Sequence, residues 1–416
     1  MNLKKMFVPT QLGARFTAKI DQSILPKVKS NSPPPIRTTA NFCDHSRRRW
    51  GPRVDLMLRS KSPQPKRMPR VEPCKYYRLN NWMEDLGYLI QDKKITEIKI
   101  PGTHDSATYA ITKKSKAAKG EKAAKLTTLV GDPKQWTVCQ TKSIRTQLKY
   151  GARFLDLRAS YEDDERFYLH HGLKAKSLAH ELKIIHEFLQ RHPHEMIIIK
   201  IKPTSTCATF LRNLQFAIHK LLGNKHIVMK SHFVDGSLQT RMPSSFTLRE
   251  CAGKVLVIID ARDFVEGGKD SPEITRNPFL FGNTVLHSKW PNKRNYDELV
   301  SALIASQPNI DCQQLYCLHF TFTANAKYVL SHMNQDLPVH DIFTMTKKLE
   351  EKKKPATGHK DNWHYLISLL SARKNAKRDI NINVVDFLNG MKSHRLIFLN
   401  YPESKVPPLP PPIKRD

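Results

Sequence analysis

The stretch Lys254-Val255-Leu256-Val257-Ile258-Ile259 contains five consecutive apolar residues, so a strand formed here is apolar on both faces. The run Ile197-Ile198-Ile199 has the same property. Strands that are apolar on both faces are typical of parallel sheets, because helices cover such sheets on each side. The two runs therefore predict fully buried strands of a parallel α/β fold, such as a barrel.

Further strand and helix candidates alternate around these runs. The strand candidates are Ile95–Ile100, Phe154–Arg158, Met196–Ile201, Lys254–Ile259, Leu315–Phe320, Ile382–Phe387 and Arg395–Leu399. Apolar residues at helical spacing predict helices over Ser143–Tyr150, Leu178–Leu189, Ala208–Leu222, Tyr296–Ser306 and Asn362–Ala372. Strands separated by helices over residues 81–402 fit a single distorted TIM-type (β/α) barrel with insertions.

The flanks of this region differ from it in composition. Residues 1–80 carry 18 Lys/Arg against 4 Asp/Glu, together with several proline clusters. We predict that this stretch is a largely disordered basic extension. Residues 403–416 are rich in proline, and we predict that they form an extended tail. Two lysine-rich runs inside the barrel region, Lys113–Lys125 and Lys347–Lys354, predict exposed loops or helix faces.

The whole chain of 416 residues has a formal net charge of +31, from 69 Lys/Arg and 38 Asp/Glu. Such a surplus predicts attraction to a polyanion, which is nucleic acid, an anionic membrane or an acidic protein. No zinc-finger or RNA-recognition signature supports nucleic acid as that partner. Nothing in the sequence predicts an oligomeric state.

Cysteine usage and hydropathy bear on the compartment. The seven cysteines form no CxxC pair and no zinc-ligand spacing, which favours free thiols in a reducing compartment. No apolar run is long enough for the core of a signal peptide or for a membrane span. We therefore expect a soluble or peripheral protein that is cytoplasmic or exported by an unconventional route.

Ionisable residues follow or end several predicted strands. In a (β/α) barrel the catalytic residues lie where the strands end and the loops to the next helices begin. The residues at such positions are His104, Asp105, Asp156, Arg158, His170, His171, Lys200, Lys202 and Asp386. The barrel prediction therefore brings these side chains to one mouth.

Each of these groups has an ordinary structural interpretation by itself. A single histidine is more often a hydrogen-bonded structural residue, and Asp156 with Arg158 fits a local ion pair. The pair His170-His171 lacks a third metal ligand at a recognisable spacing. Two histidines and an arginine at one mouth, however, suit phosphodiester cleavage. One imidazole accepts a proton, the second donates one, and the guanidinium meets the developing charge. These residues by themselves do not define a substrate.

At these residues the sequence resembles the bacterial-type phosphatidylinositol-specific phospholipase C family, which has the X-domain fold. The segment Ile100-Pro101-Gly102-Thr103-His104-Asp105-Ser106 resembles the first motif of that family. Gly151-Ala152-Arg153-Phe154-Leu155-Asp156-Leu157-Arg158 resembles the second, and Leu169-His170-His171-Gly172 resembles the third. The motifs occur in the family's order and spacing, and the similarity extends from about Trp82 to Tyr401.

The resemblance implies a role for each matching residue. His104 would be the general base that deprotonates the inositol 2-hydroxyl, and Asp386 would orient it. His171 would be the general acid that protonates the diacylglycerol oxygen, with Asp105 holding it. The reaction implied is cleavage of phosphatidylinositol to diacylglycerol and a cyclic inositol phosphate.

Arg158 would bind the phosphate oxygens, and its position also bears on metals. In the calcium-dependent relatives an acidic ligand occupies the position of Arg158, and an asparagine ligand occupies that of Asp105. A guanidinium cannot ligate calcium, whereas its fixed charge can replace the electrostatic role of the ion. The resemblance therefore implies catalysis without a metal or another cofactor.

The expected headgroup pocket contains the main departure from the family. Lys202 is expected to line this pocket, and Arg262 to contribute to it. Between Val285 and Tyr296 the family has an aspartate and a stacking tyrosine, where this chain has Ser288 and Trp290. Trp290 is expected to stack on the inositol ring, while the loss of the carboxylate bears on headgroup preference.

Two further interpretations concern the membrane and the class of function. The basic extension, with Arg47-Arg48-Arg49, Arg53 and Trp50, is expected to dock the protein on an anionic membrane, where each Lys or Arg contributes about 1 kcal/mol. The alternatives for this extension are a targeting signal or charge without function.

The alternative to an enzyme is a catalytically inactive module that binds inositol phospholipids. A barrel that cleaves glycerophosphodiesters is a further alternative. Such barrels generally need acidic metal ligands near the first histidine, and the sequence lacks that signature.

Overall fold

The computed structural model describes residues 77–121, 134–234, 237–264, 270–293, 296–306, 313–323 and 381–401. Its strands are β1 (Ile100–Thr103), β2 (Phe154–Tyr161), β3 (Phe167–His171), β4 (Leu173–Ser177), β5 (Ile197–Pro203), β6 (Ser231–Val234), β7 (Ser237–Thr240), β8 (Val255–Ile259), β9 (Leu280–Phe281), β10 (Leu286–Ser288), β11 (Leu315–Phe320) and β12 (Ile382–Val385). The α-helices are α1 (Trp82–Asp85), α2 (Gly87–Ile90), α3 (Lys134–Thr137), α4 (Ile144–Lys149), α5 (Leu178–Arg191), α6 (Ala208–Leu222), α7 (Leu248–Cys251), α8 (Pro272–Arg276), α9 (Tyr296–Ala305) and α10 (Gly390–Phe398).

Eight of these strands form one curled parallel sheet. Their order is β10-β11-β12-β1-β2-β5-β8-β9, and every neighbouring pair is parallel. The hairpin of β3 and β4 pairs antiparallel with the distal part of β2, and β6 pairs with β7 in a separate ribbon. Helices between the strands complete a distorted (β/α) barrel, which confirms the predicted fold class.

Alternate residues of the strands belong to two apolar clusters. Leu155, Ile199 and Val257 pack with the buried faces of α4, α5 and α6. Phe154, on the opposite face of β2, belongs to a second cluster that also includes Trp82 of α1. Since successive side chains of a strand point to opposite faces, one cluster lies between sheet and helices and the other fills the barrel interior.

The predicted helices that fall in the described residues form where expected. The side chain of Ser177 accepts a hydrogen bond from the backbone N–H of His180 and so caps α5. Helix α6 covers the predicted range Ala208–Leu222, and Gly223 ends it with φ of 66°. A residue with a Cβ is strained in that left-handed conformation, which explains the glycine at this position.

Two of the predicted strands are wrong in type or extent. Arg395–Leu399 lies almost entirely in helix α10, whose N-terminus is capped by the side chain of Asn389. Its apolar residues Leu396 and Ile397 are buried on the inner face of that helix. The predicted strand Ile95–Ile100 contributes only Ile100 to β1. The preceding residues form turns, because the Asn381 side chain donates hydrogen bonds to the carbonyls of Ile95 and Ile98.

Several predictions concern residues outside the described ranges. These are the basic extension up to residue 76, the run Lys347–Lys354, the helix Asn362–Ala372 and the tail 403–416. They stay predictions, as do the domain limits. Among the helices of the described ranges, none is both long enough and apolar enough to cross a membrane.

Candidate active site

The inward-facing positions of the strands change from apolar to ionisable toward the carboxyl edge of the barrel. The register of the parallel ladder aligns Phe154 with Ile198 and Arg158 with Lys202. The same alternation continues from each strand into the loop that follows it. It brings together His104 after β1, Asp156 and Arg158 on β2, Lys200 and Lys202 on β5, Asp260 after β8, His319 on β11 and Asp386 after β12.

His104 is buried between two carboxylates. Its Nδ1 lies 2.9 Å from Asp386 Oδ1 in a hydrogen bond. Its Nε2 lies 3.0 Å from Asp105 Oδ2, without the angles of a hydrogen bond. The hydrogen bond to Asp386 fixes the orientation of the ring and leaves Nε2 as the nitrogen that can exchange a proton with a substrate.

The loops that carry these residues are held in an unusual backbone conformation. Asp105 has φ of 40° and Phe387, next to Asp386, has φ of 49°, which are both left-handed. The buried Gln140 joins the two loops, because its Nε2 donates to the carbonyls of His104 and Val385 at 3.2 and 2.8 Å. Non-glycine residues persist in such conformations only where the surroundings determine them, as at functional sites.

The β3–β4 hairpin delivers the second histidine. Strand β3 runs antiparallel to the end of β2, so His171 at its end returns toward the barrel mouth. His171 Nδ1 donates to the carbonyl of Thr137 at 2.8 Å, and Nε2 lies 3.4 Å from Asp105 Oδ2. The neighbouring His170 is buried on the other face of β3, and burial lowers its pKa to about 3. Of the pair, only His171 faces the other site residues.

Asp105 is the common partner of the site. Its Oδ1 accepts a hydrogen bond from Arg158 Nε at 2.8 Å, and its Oδ2 faces both His104 and His171. Burial opposes its charge, but Arg158 and the two histidines hold its pKa well below the usual range. Asp105 is therefore ionised at neutral pH. The side chain of Arg158 is 30% exposed, so part of the guanidinium stays accessible at the mouth.

The two histidines have opposite pKa shifts. For His104 burial favours the neutral form, but the negative charges of Asp105 and Asp386 raise the pKa well above 6.5. For His171 burial lowers the pKa below 6.5, and Arg158 opposes the raising effect of Asp105. At neutral pH in the free protein, His104 is therefore the protonated, positively charged member of the pair, and His171 is the neutral one.

The higher pKa of His104 and the lower pKa of His171 predict a particular pH dependence if catalysis needs one protonated and one neutral histidine. We expect kcat/KM to fall at acid pH as a second proton binds with a pKa below 6.5. It should fall at alkaline pH as the last proton leaves with a pKa above 6.5. Imidazole ¹⁵N shifts followed against pH should assign the higher midpoint to His104. Asp105→Asn should move the alkaline limb to lower pH, and an unmoved limb would contradict the assigned cause.

The predicted pocket residues line one side of the mouth. Lys202 Nζ forms an ion pair with Asp263 at 2.5 Å. Arg262 forms a two-pronged ion pair with Asp260 at 2.7 and 2.6 Å and also donates to the carbonyl of Ser288. Both cations are thus already partnered by carboxylates. Their roles toward a substrate stay predictions.

Trp290 lies against the catalytic centre itself. Its ring centroid is 4.8 Å from that of His104 and 5.1 Å from that of His319, and its indole N–H donates to Thr323 Oγ1 at 3.0 Å. Ser288 Oγ lies 2.7 Å from His319 Nε2. The residues at the two departures from the family pattern therefore contact one buried histidine that the sequence argument did not select.

The chemistry of the site disfavours a bound cation. Among the described residues, His104, Asp105 and Cys139 could each present one ligand atom within 4.8 Å of the others. However, the guanidinium of Arg158 occupies Asp105, and burial raises the pKa of the Cys139 thiol to about 12. Metal ligands must be deprotonated, and a fixed cation beside them repels a metal ion. These residues fit a metal poorly, and metal independence stays a prediction.

Three buried side chains of the site were not identified from the sequence. Gln140 has no motif that could have selected it. Asp260, which lies 3.7 Å from Lys200 Nζ, directly follows the predicted strand Lys254–Ile259 and was not selected. His319 lies two residues after Cys317 on β11, and the inward alternation along that strand would have found it.

The fold and this residue set define a distorted (β/α) barrel with two histidines, a shared aspartate and an arginine at its carboxyl edge. The family model described as phosphatidylinositol-specific phospholipase C, X domain, matches residues 124–259. That match includes Arg158, His171 and Lys202 and begins after His104. In this part of the chain the protein is similar to the X domain of phosphatidylinositol-specific phospholipase C.

Individual relatives come from animals and bacteria. PI-PLC X domain-containing protein 2 of Homo sapiens is 25% identical over 293 residues, which are 68% of this chain and 85% of the relative. The 1-phosphatidylinositol phosphodiesterase of Staphylococcus aureus is 32% identical over 126 residues, which are 29% of this chain and 33% of the relative. The second similarity is thus confined to a part of both chains.

A solved structure supports the fold. Phosphatidylinositol-specific phospholipase C from Listeria monocytogenes superposes with a TM-score of 0.51 and 18% sequence identity, covering 78% of this chain and all of that chain. At this identity the similarity establishes the barrel fold and leaves the chemistry to the residues of this chain.

Proposed function

We propose that this protein is a metal-independent phosphatidylinositol-specific phospholipase C. In this proposal it cleaves phosphatidylinositol to diacylglycerol and a cyclic inositol phosphate. The observation that carries the proposal is the shared carboxylate. Asp105 contacts His104, His171 and Arg158 at 3.0, 3.4 and 2.8 Å, so a base, an acid and a phosphate-binding cation meet at one point.

The proposed reaction begins at His104. Its Nε2 accepts the proton of the inositol 2-hydroxyl, and that oxygen then attacks the adjacent phosphorus. Asp386 keeps the ring oriented through Nδ1 and stabilises the imidazolium that forms. Because the hydroxyl and the phosphate belong to the same headgroup, the attack is intramolecular and the first product is cyclic.

The leaving side of the reaction belongs to His171 and Arg158. His171 Nε2 donates a proton to the diacylglycerol oxygen as its bond to phosphorus breaks. The hydrogen bond from Nδ1 to the Thr137 carbonyl keeps the ring in the orientation that this transfer needs. Arg158 meets the charge of the non-bridging oxygens, a role in which a preformed cation needs no reorganisation.

In the free protein His104 is the protonated histidine, whereas the proposed reaction starts with His171 protonated and His104 neutral. A phosphate bound beside Arg158 and His171 adds negative charge there and favours the protonated form of His171. Substrate binding thus supports the productive distribution. The pH dependence described above follows from the same requirement for one proton on the pair.

The proposal is tested with purified protein and phosphatidylinositol vesicles in excess chelator, with products followed by phosphorus NMR. We expect a cyclic inositol phosphate to form at a rate that added calcium does not change. Vesicles of phosphatidylcholine are the matched control, because the choline headgroup has no hydroxyl that can attack the phosphorus. They should remain intact.

Three outcomes would decide against this proposal. Turnover that stops in chelator and returns only with calcium would contradict metal independence. Binding to phosphatidylinositol vesicles without any cleavage would instead identify a module that retains the headgroup pocket and lacks turnover. Cleavage of both lipids would exclude the intramolecular attack.

A further inference from the structure

His319 is a buried histidine beside the catalytic centre with one uncommitted nitrogen. Its side chain points into the barrel from β11, and the residue is 2% exposed. Nε2 contacts Ser288 Oγ at 2.7 Å, whereas Nδ1 has no hydrogen-bond partner among the described residues. A buried polar atom without a partner destabilises the protein, so such an atom in a site calls for an explanation.

Trp290 links this nitrogen to the catalytic base. The indole packs against both imidazoles, at 4.8 Å from His104 and 5.1 Å from His319. His104 Nε2 is likewise buried and has no hydrogen bond of good geometry. Two uncommitted histidine nitrogens thus belong to rings that contact the same indole, which is itself 37% exposed.

We propose that His319 is a headgroup-binding residue and that Trp290 covers it, together with His104, until the substrate enters. A ring hydroxyl of the inositol then bonds to Nδ1 of His319 when the indole moves outward. The hydrogen bond of Ser288 to Nε2 sets the orientation of the imidazole. This inference rests on the proposed function for the identity of the ligand.

The charge state of His319 suits an uncharged polyol. Burial, reinforced by Lys200, holds its pKa well below 6.5, so the imidazole is neutral at pH 7. A neutral imidazole has one N–H and one lone pair, and a hydroxyl can serve as partner to either. The cations nearby, Lys200 and Arg262, already pair with Asp156 and Asp260. The contact offered to the ring is therefore a neutral hydrogen bond.

The anchoring of Trp290 allows the movement. Its indole N–H makes one hydrogen bond, to Thr323 Oγ1, and the loop beyond it contains Asn292 with φ of 49°. Residues that absorb a change of backbone conformation are found in such loop positions. Lys293 accepts a backbone hydrogen bond from Thr323, which fixes the far end of the segment.

Two substitutions of His319 separate headgroup binding from a structural role. Asparagine places a polar atom near the position of Nδ1, and glutamine places one near the position of Nε2. We expect His319→Asn to keep the affinity for inositol 1-phosphate within about twofold, measured by titration calorimetry on the full chain. His319→Gln, which can keep the bond to Ser288, should weaken the affinity about tenfold, the effect of one lost hydrogen bond.

A fluorescence titration with the same ligand tests whether Trp290 covers His319. Tryptophan fluorescence should change as inositol 1-phosphate binds, and Trp290→Phe should abolish the change. Thermal unfolding of each variant checks that it folds. Equal loss of affinity in both His319 variants, or no loss in His319→Gln, would overturn the role of Nδ1. Binding without a fluorescence change would overturn the cover.

These measurements are independent of turnover. If the wild type binds inositol 1-phosphate and the His319 variants differ as expected, the inference holds even where phosphatidylinositol is not cleaved. If the wild type cleaves the lipid while both His319 variants bind normally, the proposed function stands and this inference fails.

Discussion

Alanine in place of His104 or of His171 is expected to lower kcat for phosphatidylinositol by about 10²–10⁴-fold, the usual contribution of general acid–base catalysis. Both histidines face Asp105 Oδ2 through Nε2, at 3.0 Å from His104 and 3.4 Å from His171, and each has its own proposed proton transfer. His180→Ala is the matched control, since His180 is exposed on α5. That variant should retain the activity of the wild type.

A change of leaving group distinguishes the two roles. An inositol phosphate ester of a nitrophenol needs no proton on its leaving oxygen, so it does not require a general acid. His171→Ala should therefore recover most of its activity on this ester, whereas His104→Ala should remain slow because the 2-hydroxyl still has to lose its proton. Recovery in His104→Ala instead would reverse the assignment of base and acid.

The double variant gives a further check. Residues that act as a unit in one transition state give strongly non-additive effects, so the double variant should be little slower than the slower single variant. Rates are compared in chelator at the pH optimum of each protein, because removal of one histidine changes the proton affinity of the other. Multiplicative effects would show that the two histidines contribute independently and would contradict their acting as a unit.

The sequence predicted the barrel because its strands are unusually apolar. Runs such as Val255–Ile259 and Ile197–Ile201 need cover on both faces, and their strands are buried in the structure. The failure at Arg395–Leu399 has a local cause. Its apolar residues also fit one face of a helix, and Asn389 supplies a helix cap that the short run Leu396-Ile397-Phe398-Leu399 obscured.

The site was predicted where charged residues interrupt the apolar pattern of a strand. Lys200 and Lys202 after Ile198, or Asp156 and Arg158 after Phe154, mark the inward face by their spacing of two residues. Contacts that depend on loops were not predictable in this way. Gln140 connects the loops after β1 and β12 through hydrogen bonds to residues 104 and 385, and no local pattern encodes that pairing.

Arg153→Met should lower the free energy of unfolding by about 3–5 kcal/mol, the usual loss when one member of a buried ion pair is removed. Arg153 and Glu195 have fully buried side chains, and Arg153 Nε donates to Glu195 Oε2 at 2.6 Å. The second carboxylate oxygen of Glu195 accepts the backbone N–H groups of Met83 and Glu84, in the first turn of α1. The pair therefore joins the N-terminal helix of the described region to the barrel.

The loss should depend on pH because the variant leaves a buried carboxylate without its cation. Burial raises the pKa of Glu195 even beside Arg153, and removal of the guanidinium removes the largest opposing effect. A raised pKa in the folded state means that stability decreases as the pH rises above the ordinary value for glutamate. Urea unfolding should accordingly show a smaller loss at pH 5 than at pH 8.

A matched arginine and a double variant separate the buried charge from lost packing. Arg249→Met removes an arginine whose partner Asp92 is exposed, so it should lower the free energy of unfolding by less than about 1 kcal/mol. Combining Arg153→Met with Glu195→Leu removes both charges and should recover part of the stability that the single variant loses. If the double variant is as unstable as the sum of its single changes, Arg153 stabilises the barrel through its packing on Phe188 and its hydrogen bonds to backbone carbonyls, and the charge of Glu195 is not the cause.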